Sequence, residues 1–325
     1  MEEQKKAKIA LIIFLVVGAI LLTYNYMLLT YYPYEQSVQS MCNEIINHTA
    51  LSPLRYRILL PTLIHIGENV FQHISANNAF MFAYIGVVFC CYLFSLSSAF
   101  YLFKQFHENK NSIILLLLFT VSLVVAQKNN FFQPWSILEP GLYTLGIVMA
   151  IKKRIFPFIV ITILAVLNRE TGIFLSAAYI LAQNSVMDYL KKITLIFSEK
   201  MAILTMIIAV AIYALLRMSF GDAADEITVQ DVMKQNLQPF SMIILAINIA
   251  TYFHLYLILG LKWNLVPDVL KRMWPIVLLC SFFIAVYGIW YEIRMFNSVL
   301  PLLLCVLGFG LNTLVAEKEN CFVGR

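Results

Sequence analysis

The stretch Ile155–Asn184, IFPFIVITILAVLNRETGIFLSAAYILAQN, decides how the chain is threaded. It reads either as one long apolar helix or as two, 155–167 and 172–184, broken by Asn168, Arg169, Glu170 and Thr171. The choice matters because the whole chain is built for a bilayer. Hydrophobic residues make up 61% of its 325 positions and charged residues 13%. A soluble domain carries about 25% charge, so too few charges remain here to coat a water-facing surface. The same numbers exclude a disordered chain and a disulfide-stapled secreted module. A net charge of +5 with no long basic cluster excludes a nucleic-acid binder.

A spanning helix takes about 20 mainly apolar residues. Candidate spans run from Ile9 to about Thr30, then over 79–103, 111–127, 135–151, 155–167, 172–184, 201–219, 240–261, 273–291 and 295–316. The first follows Lys5, Lys6 and Lys8. Its apolar run is too long for a secretory signal, and no small-residue cleavage site precedes Tyr31, so it reads as a retained helix. Counting Ile155–Asn184 as a hairpin makes ten spans and leaves both termini cytoplasmic. Sixteen basic residues then fall in inner loops. Seven lie outside: Arg55, Arg57, Lys128, Arg169, Arg217, Lys234 and Arg294. Counting it as one helix flips everything downstream and puts eight basic residues outside against three inside. The preference for basic residues on the cytoplasmic side selects the hairpin.

The expected fold class is therefore all-α: a polytopic transmembrane bundle of about ten helices. It forms a single integral membrane domain over 1–325, in a bacterial inner membrane. No internal repeat, low-complexity tract or linker divides it. The hairpin arms are short. Thirteen residues rise about 20 Å, whereas the hydrocarbon core is about 30 Å thick. Arg169 and Glu170 are thus expected below the outer surface, facing protein or a water-filled cavity rather than lipid.

The unusual chemistry collects on that outer side. The first outer loop, about 31–78, opens on Tyr31, Tyr32, Pro33, Tyr34 and Glu35. It continues through Glu44 to Leu54-Arg55-Tyr56-Arg57-Ile58-Leu59-Leu60-Pro61. Apolar positions at 58, 59, 63, 66 and 70 predict a helix over 58–72 lying in the interface, because the run is short and holds His65 and Glu68. Its plainest role is an anchor with arginines on lipid phosphates. The second outer loop carries Phe131, Phe132, Gln133, Pro134 and Trp135. Glu139 then lies about one turn inside an apolar segment, where an acid needs a partner or a function. The third outer turn is Asn168-Arg169-Glu170-Thr171, and the fifth holds Glu292-Ile293-Arg294. A purely structural reading pairs Glu170 with Arg294 and Glu292 with Arg169. The fourth loop, 220–239, reads as an ordinary acidic solvated loop. Among the six cysteines only Cys42 lies in an outer loop, and no Cys or His cluster has metal-ligand spacing, so no metal or other cofactor is expected.

Arginines at that depth suit a lipid-linked phosphate, which a planar guanidinium grips through two donors. Carboxylates suit sugar hydroxyls and proton abstraction. A flat ring such as Trp135 suits a sugar face. In these residues the chain resembles the GT-C class of polytopic glycosyltransferases, and more closely its short bacterial members. The segments that carry the likeness are Arg55–Pro61, Trp135–Glu139, Leu167–Thr171 and Glu292–Arg294. The resemblance implies a polyprenyl-phosphate sugar donor, a lipid or glycan acceptor and inverting transfer without a metal. It also implies a carboxylate base near the end of the first helix, a place held by Glu35, with Glu44 second. Arg55, Arg57 and Arg169 would then bind phosphate with Arg294 in support, while Gln133, Trp135, Glu139, Asn168, Glu170 and Glu292 orient sugar or arginines. Three other classes share the outer-side chemistry: a flippase or transporter of lipid-linked sugar, an O-antigen-type polymerase, and a non-catalytic scaffold of polysaccharide assembly. Ionisable groups gathered at one face, without a repeat, count against the transporter.

Overall fold

The structure is a computed structural model that describes residues 2–50, 54–127, 134–192, 199–220, 263–287 and 297–310, together with 234, 237–239 and 242. Among the described residues every regular element is helical. Four helical stretches are long and apolar enough to cross a membrane: Lys5–Ile46, Ala76–Phe106, Asn109–Gln127 and Lys200–Phe220. Shorter apolar helices are Trp135–Ile151, Ile155–Asn168 and Leu300–Gly310.

Helix α1 (Glu2–Tyr26) leaves Ile9, Ile12, Ile13, Val17, Ile20 and Leu21 exposed. Ala19, Leu22, Thr23 and Tyr26 turn inward. A wide apolar face left bare is what lipid covers. The chain does not become a loop at residue 31, as the sequence suggested. A π-helical turn (Met27–Tyr31) and a 3-10 turn (Tyr32–Tyr34) carry it directly into α2 (Glu35–Ile46). Pro33 is tolerated there because it sits in the first turn of a helical segment, where its missing N–H costs nothing. Helix α2 stops where His48 takes a left-handed conformation (φ 62°) and the Thr49 and Ala50 amides fold back on the Glu44 carbonyl.

A 3-10 turn (Leu54–Tyr56) leads to α3 (Leu59–Phe71), close to the expected interfacial helix. Leu60 and Ile64 face the protein, while Leu63, Ile66 and Val70 are exposed. The hub is α4 (Ala79–Phe106), which packs against α1, α3, α5 (Asn109–Gln127) and α6 (Trp135–Ile151). Helix α6 is buried along nearly its whole length. It ends on Lys153 at φ 56°, with the Arg154 amide returning to the Met149 carbonyl. Its internal Pro140 cannot bond back to Ser136. Ser95 of α4 donates to the neighbouring Ile137 carbonyl at 2.8 Å, tying α4 to α6 beside the proline.

Then comes the hairpin. Its first arm is α7 (Ile155–Asn168). Its second arm departs from the sequence reading: it is a 3-10 helix (Glu170–Ser176) followed by α8 (Ala177–Gln183), not a uniform α-helix over 172–184. Short α9 (Val186–Lys191) follows, capped by Ser185. Helix α10 (Lys200–Phe220) packs on α7, α8 and the 3-10 arm, and α11 (Asp268–Tyr287) packs on α8 and that arm. Helix α11 starts five residues earlier than the apolar run at 273 because its charged first turns are also helical. The expected span 240–261 lies outside the described residues, apart from Met242.

Candidate functional site

The site is assembled where the hairpin turn meets the start of α6. Asn168 ends α7, and its Nδ2 donates to the Trp135 carbonyl at 3.0 Å, tying the two helix ends together. Arg169 then takes an extended backbone (φ −162°, ψ 144°), so it and Glu170 leave the chain in different directions. Arg169 Nη1 donates to Glu139 Oε2 at 2.8 Å. Arg57 meets Glu170 in a two-pronged pair, Nη2 to Oε1 at 2.8 Å and Nε to Oε2 at 3.3 Å. Three of these four side chains are nearly sealed: Arg57 at 6%, Arg169 at 7% and Glu139 at 4% exposed, against 27% for Glu170.

The turn itself is gripped from α6. Glu139 accepts from the Thr171 hydroxyl at 2.8 Å, and one turn further on the Tyr143 hydroxyl donates to the Thr171 carbonyl. Gly172 lets this happen: a Cβ there would land on the Ala165 backbone carbonyl. Burial disfavours charge on Glu170, but the Arg57 guanidinium outweighs it and holds the carboxyl down at about 2. Both arginines are thus neutralised by carboxylates of this chain.

Trp135 is fully buried, with the Arg57 guanidinium 5.2 Å from its ring centroid. The open sugar platform expected of it is not there, because a cation already occupies the ring. Trp135 Nε1, Ser136 Oγ and Asn168 Oδ1 are buried and lack a hydrogen-bond partner among the described residues.

The two base candidates lie on α2, which packs against α3 and the 3-10 turn preceding Arg57. Glu35 is exposed and accepts from Tyr31 at 3.0 Å; Glu44 is exposed and accepts from Ser40 at 2.8 Å. Nine helical residues separate them by about 13 Å, so they do not serve the same atom. Gln133, Glu292, Arg294 and the Arg55 side chain lie outside the described residues. The suggested pairs Glu170–Arg294 and Arg169–Glu292 therefore each have one member outside the described residues, while among the described residues Glu170 takes Arg57 and Arg169 takes Glu139, pairings the sequence did not suggest.

Sequence reading missed Thr171 and Tyr143 as parts of the knot. It also missed Arg217, counted only for topology. Arg217 reaches Tyr56, the residue between Arg55 and Arg57 in the segment already singled out. No family model matches the chain, and no curated protein or solved structure matches it either. The GT-C likeness stands on the quoted motifs alone.

Proposed function

We propose that the chain is a polytopic membrane glycosyltransferase of GT-C type, moving a sugar from a polyprenyl-phosphate donor to an envelope lipid or glycan acceptor at the outer face. The reading includes the finer topology: ten spans, both termini cytoplasmic, a bacterial inner membrane. One observation carries it. At one end of the bundle two arginine–carboxylate pairs lie beside three buried polar atoms that lack a partner among the described residues. Those three are an indole donor, an amide acceptor and a hydroxyl, the mixture that sugar hydroxyls take up. Buried polar groups are ordinarily satisfied, so unmatched ones beside a charged knot support a polar ligand. The ion pairs alone would serve a purely structural role.

In this reading Glu35 or Glu44 takes the acceptor proton. Arg57 keeps Glu170 ionised, and Arg169 holds Glu139 in register. A competing phosphate would have to displace a carboxylate from them. The test is transfer of label from defined polyprenyl-phosphate sugars by the purified chain in lipid. The expected result is label in a lipid or glycan acceptor, reduced about 10²–10⁴-fold by replacing the base, Glu35→Gln or Glu44→Gln. Full activity in both variants removes the base assignment. No transfer from a broad donor panel removes the enzyme reading.

A further inference from the structure

Arg217 sits in the last turn of α10, where the negative end of the helix dipole favours a cation. Unlike Arg57 and Arg169 it has no carboxylate partner among the described residues. Its Nε donates to the Tyr213 hydroxyl and its Nη1 to the Tyr56 hydroxyl, both at 3.2 Å. The guanidinium lies 4.3 Å from the Tyr56 ring centroid and 5.5 Å from that of Tyr213. Tyr56 is itself buried and packs with Val166, Ala209 and Leu216, so the fork is held by a fixed wall between α7 and α10. A guanidinium has five N–H donors, and these contacts use two. The others belong to a half-buried charge that no carboxylate among the described residues compensates. Phe220 bridges from Tyr56 to the His48 ring at the end of α2 (centroids 6.4 Å and 4.5 Å). These contacts run to the C-terminal end of α2, the end that carries Glu44 rather than Glu35.

We propose that Arg217, rather than Arg57 or Arg169, is the residue that holds the phosphate of the ligand. The inference deepens the glycosyltransferase reading and rests on it for the ligand's sugar, but phosphate binding is testable alone. Arg57 and Arg169 are taken, and displacing Glu170 or Glu139 leaves a buried carboxylate unpaired. Arg217 has spare donors, a preset orientation and no competing carboxylate among the described residues. It also makes Glu44 the carboxylate better placed beside the phosphate.

The experiment measures binding to the full chain in phosphatidylcholine nanodiscs, with three probes: a polyprenyl phosphate, the same polyprenol without phosphate, and inorganic phosphate. Wild type is expected to bind the polyprenyl phosphate well above the polyprenol. Arg217→Gln should weaken this about ten- to a hundredfold, the worth of a charged hydrogen-bonding group, while Arg217→Lys retains most of it. Competition by inorganic phosphate shows that the head group alone suffices; its absence shows that the lipid tail is required, and both agree with the proposal. Equal binding of polyprenyl phosphate by wild type and Arg217→Gln overturns it, as does no preference of wild type for the phosphorylated lipid. Sugar transfer, measured in parallel, separates the two readings. Loss of phosphate binding in Arg217→Gln without any transfer by wild type leaves Arg217 standing and the enzyme reading fallen. Transfer by wild type with Arg217→Gln unchanged in both assays does the reverse.

Discussion

Arg57 and Glu170 are 113 positions apart, and Arg169 and Glu139 are 30 apart. That separation explains what was legible at this scale. The depth of Arg169, Glu170 and Glu139 follows from helix length and local hydropathy, so sequence revealed that they need partners. Which partner each takes depends on how α6, α7 and the turn before α3 come together, and no local pattern encodes that. Losing one member strands the other. Arg57→Gln or Glu170→Gln should destabilise the folded chain by about 3–5 kcal/mol, read as a lower unfolding midpoint in detergent. The exchanged pair, Arg57→Glu with Glu170→Arg, should recover part of the loss. No difference between the single variants and wild type would show that the pair contributes nothing. The Glu170 pair also has a pH signature. Its carboxyl titrates at about 2 in the fold against an ordinary 4.5. The stabilisation is therefore complete above about pH 4.5 and is lost as pH falls toward 2. Glu170→Gln should flatten that part of the unfolding-versus-pH curve.

The hairpin is the element on which the site hangs. Sequence placed its turn at Asn168–Thr171 correctly, because two charged residues and an amide interrupt an otherwise continuous apolar run. Helix α6 was also legible to the residue, bounded by Pro134 before it and Lys152-Lys153-Arg154 after it. The second hairpin arm was not. Apolar residues look alike in α- and 3-10 geometry, and the tighter form over Glu170–Ser176 answers to contacts the sequence does not display. Gly172 presses on the Ala165 backbone, and Leu175 packs where Gly146 has no side chain, its Cδ2 2.7 Å from where a Cβ would stand. Gly172→Ala is accordingly expected to cost at least the 1–3 kcal/mol of an overpacked core and to displace the turn. Thermal unfolding together with phosphate-lipid binding checks it. A variant as stable as wild type would mean the two arms separate freely.

For the whole molecule, composition alone foretold a helical membrane protein, and four helices of spanning length bear out that much. The number of crossings rests on charge counting, which labelling checks directly. Single cysteines in place of Lys153 and Ser185 should react with a membrane-impermeant maleimide from the same side, because a hairpin separates them. Opposite sides would restore the single-helix reading and invert all that follows. Cysteine in place of Asn47 should react from the other side. Such a topology also places the site in the field of an energised membrane. Moving one charge across the full bilayer takes about 2.3 kcal/mol per 100 mV. The knot of Arg57, Glu170, Arg169 and Glu139 carries two positive and two negative charges. The hairpin with its partners can therefore shift along the membrane normal without net work against the voltage. Arg217 and any phosphate it holds also approach neutrality together, whereas Arg217 alone does not. Membrane potential should thus leave the knot indifferent and act chiefly on the arrival and departure of the anion.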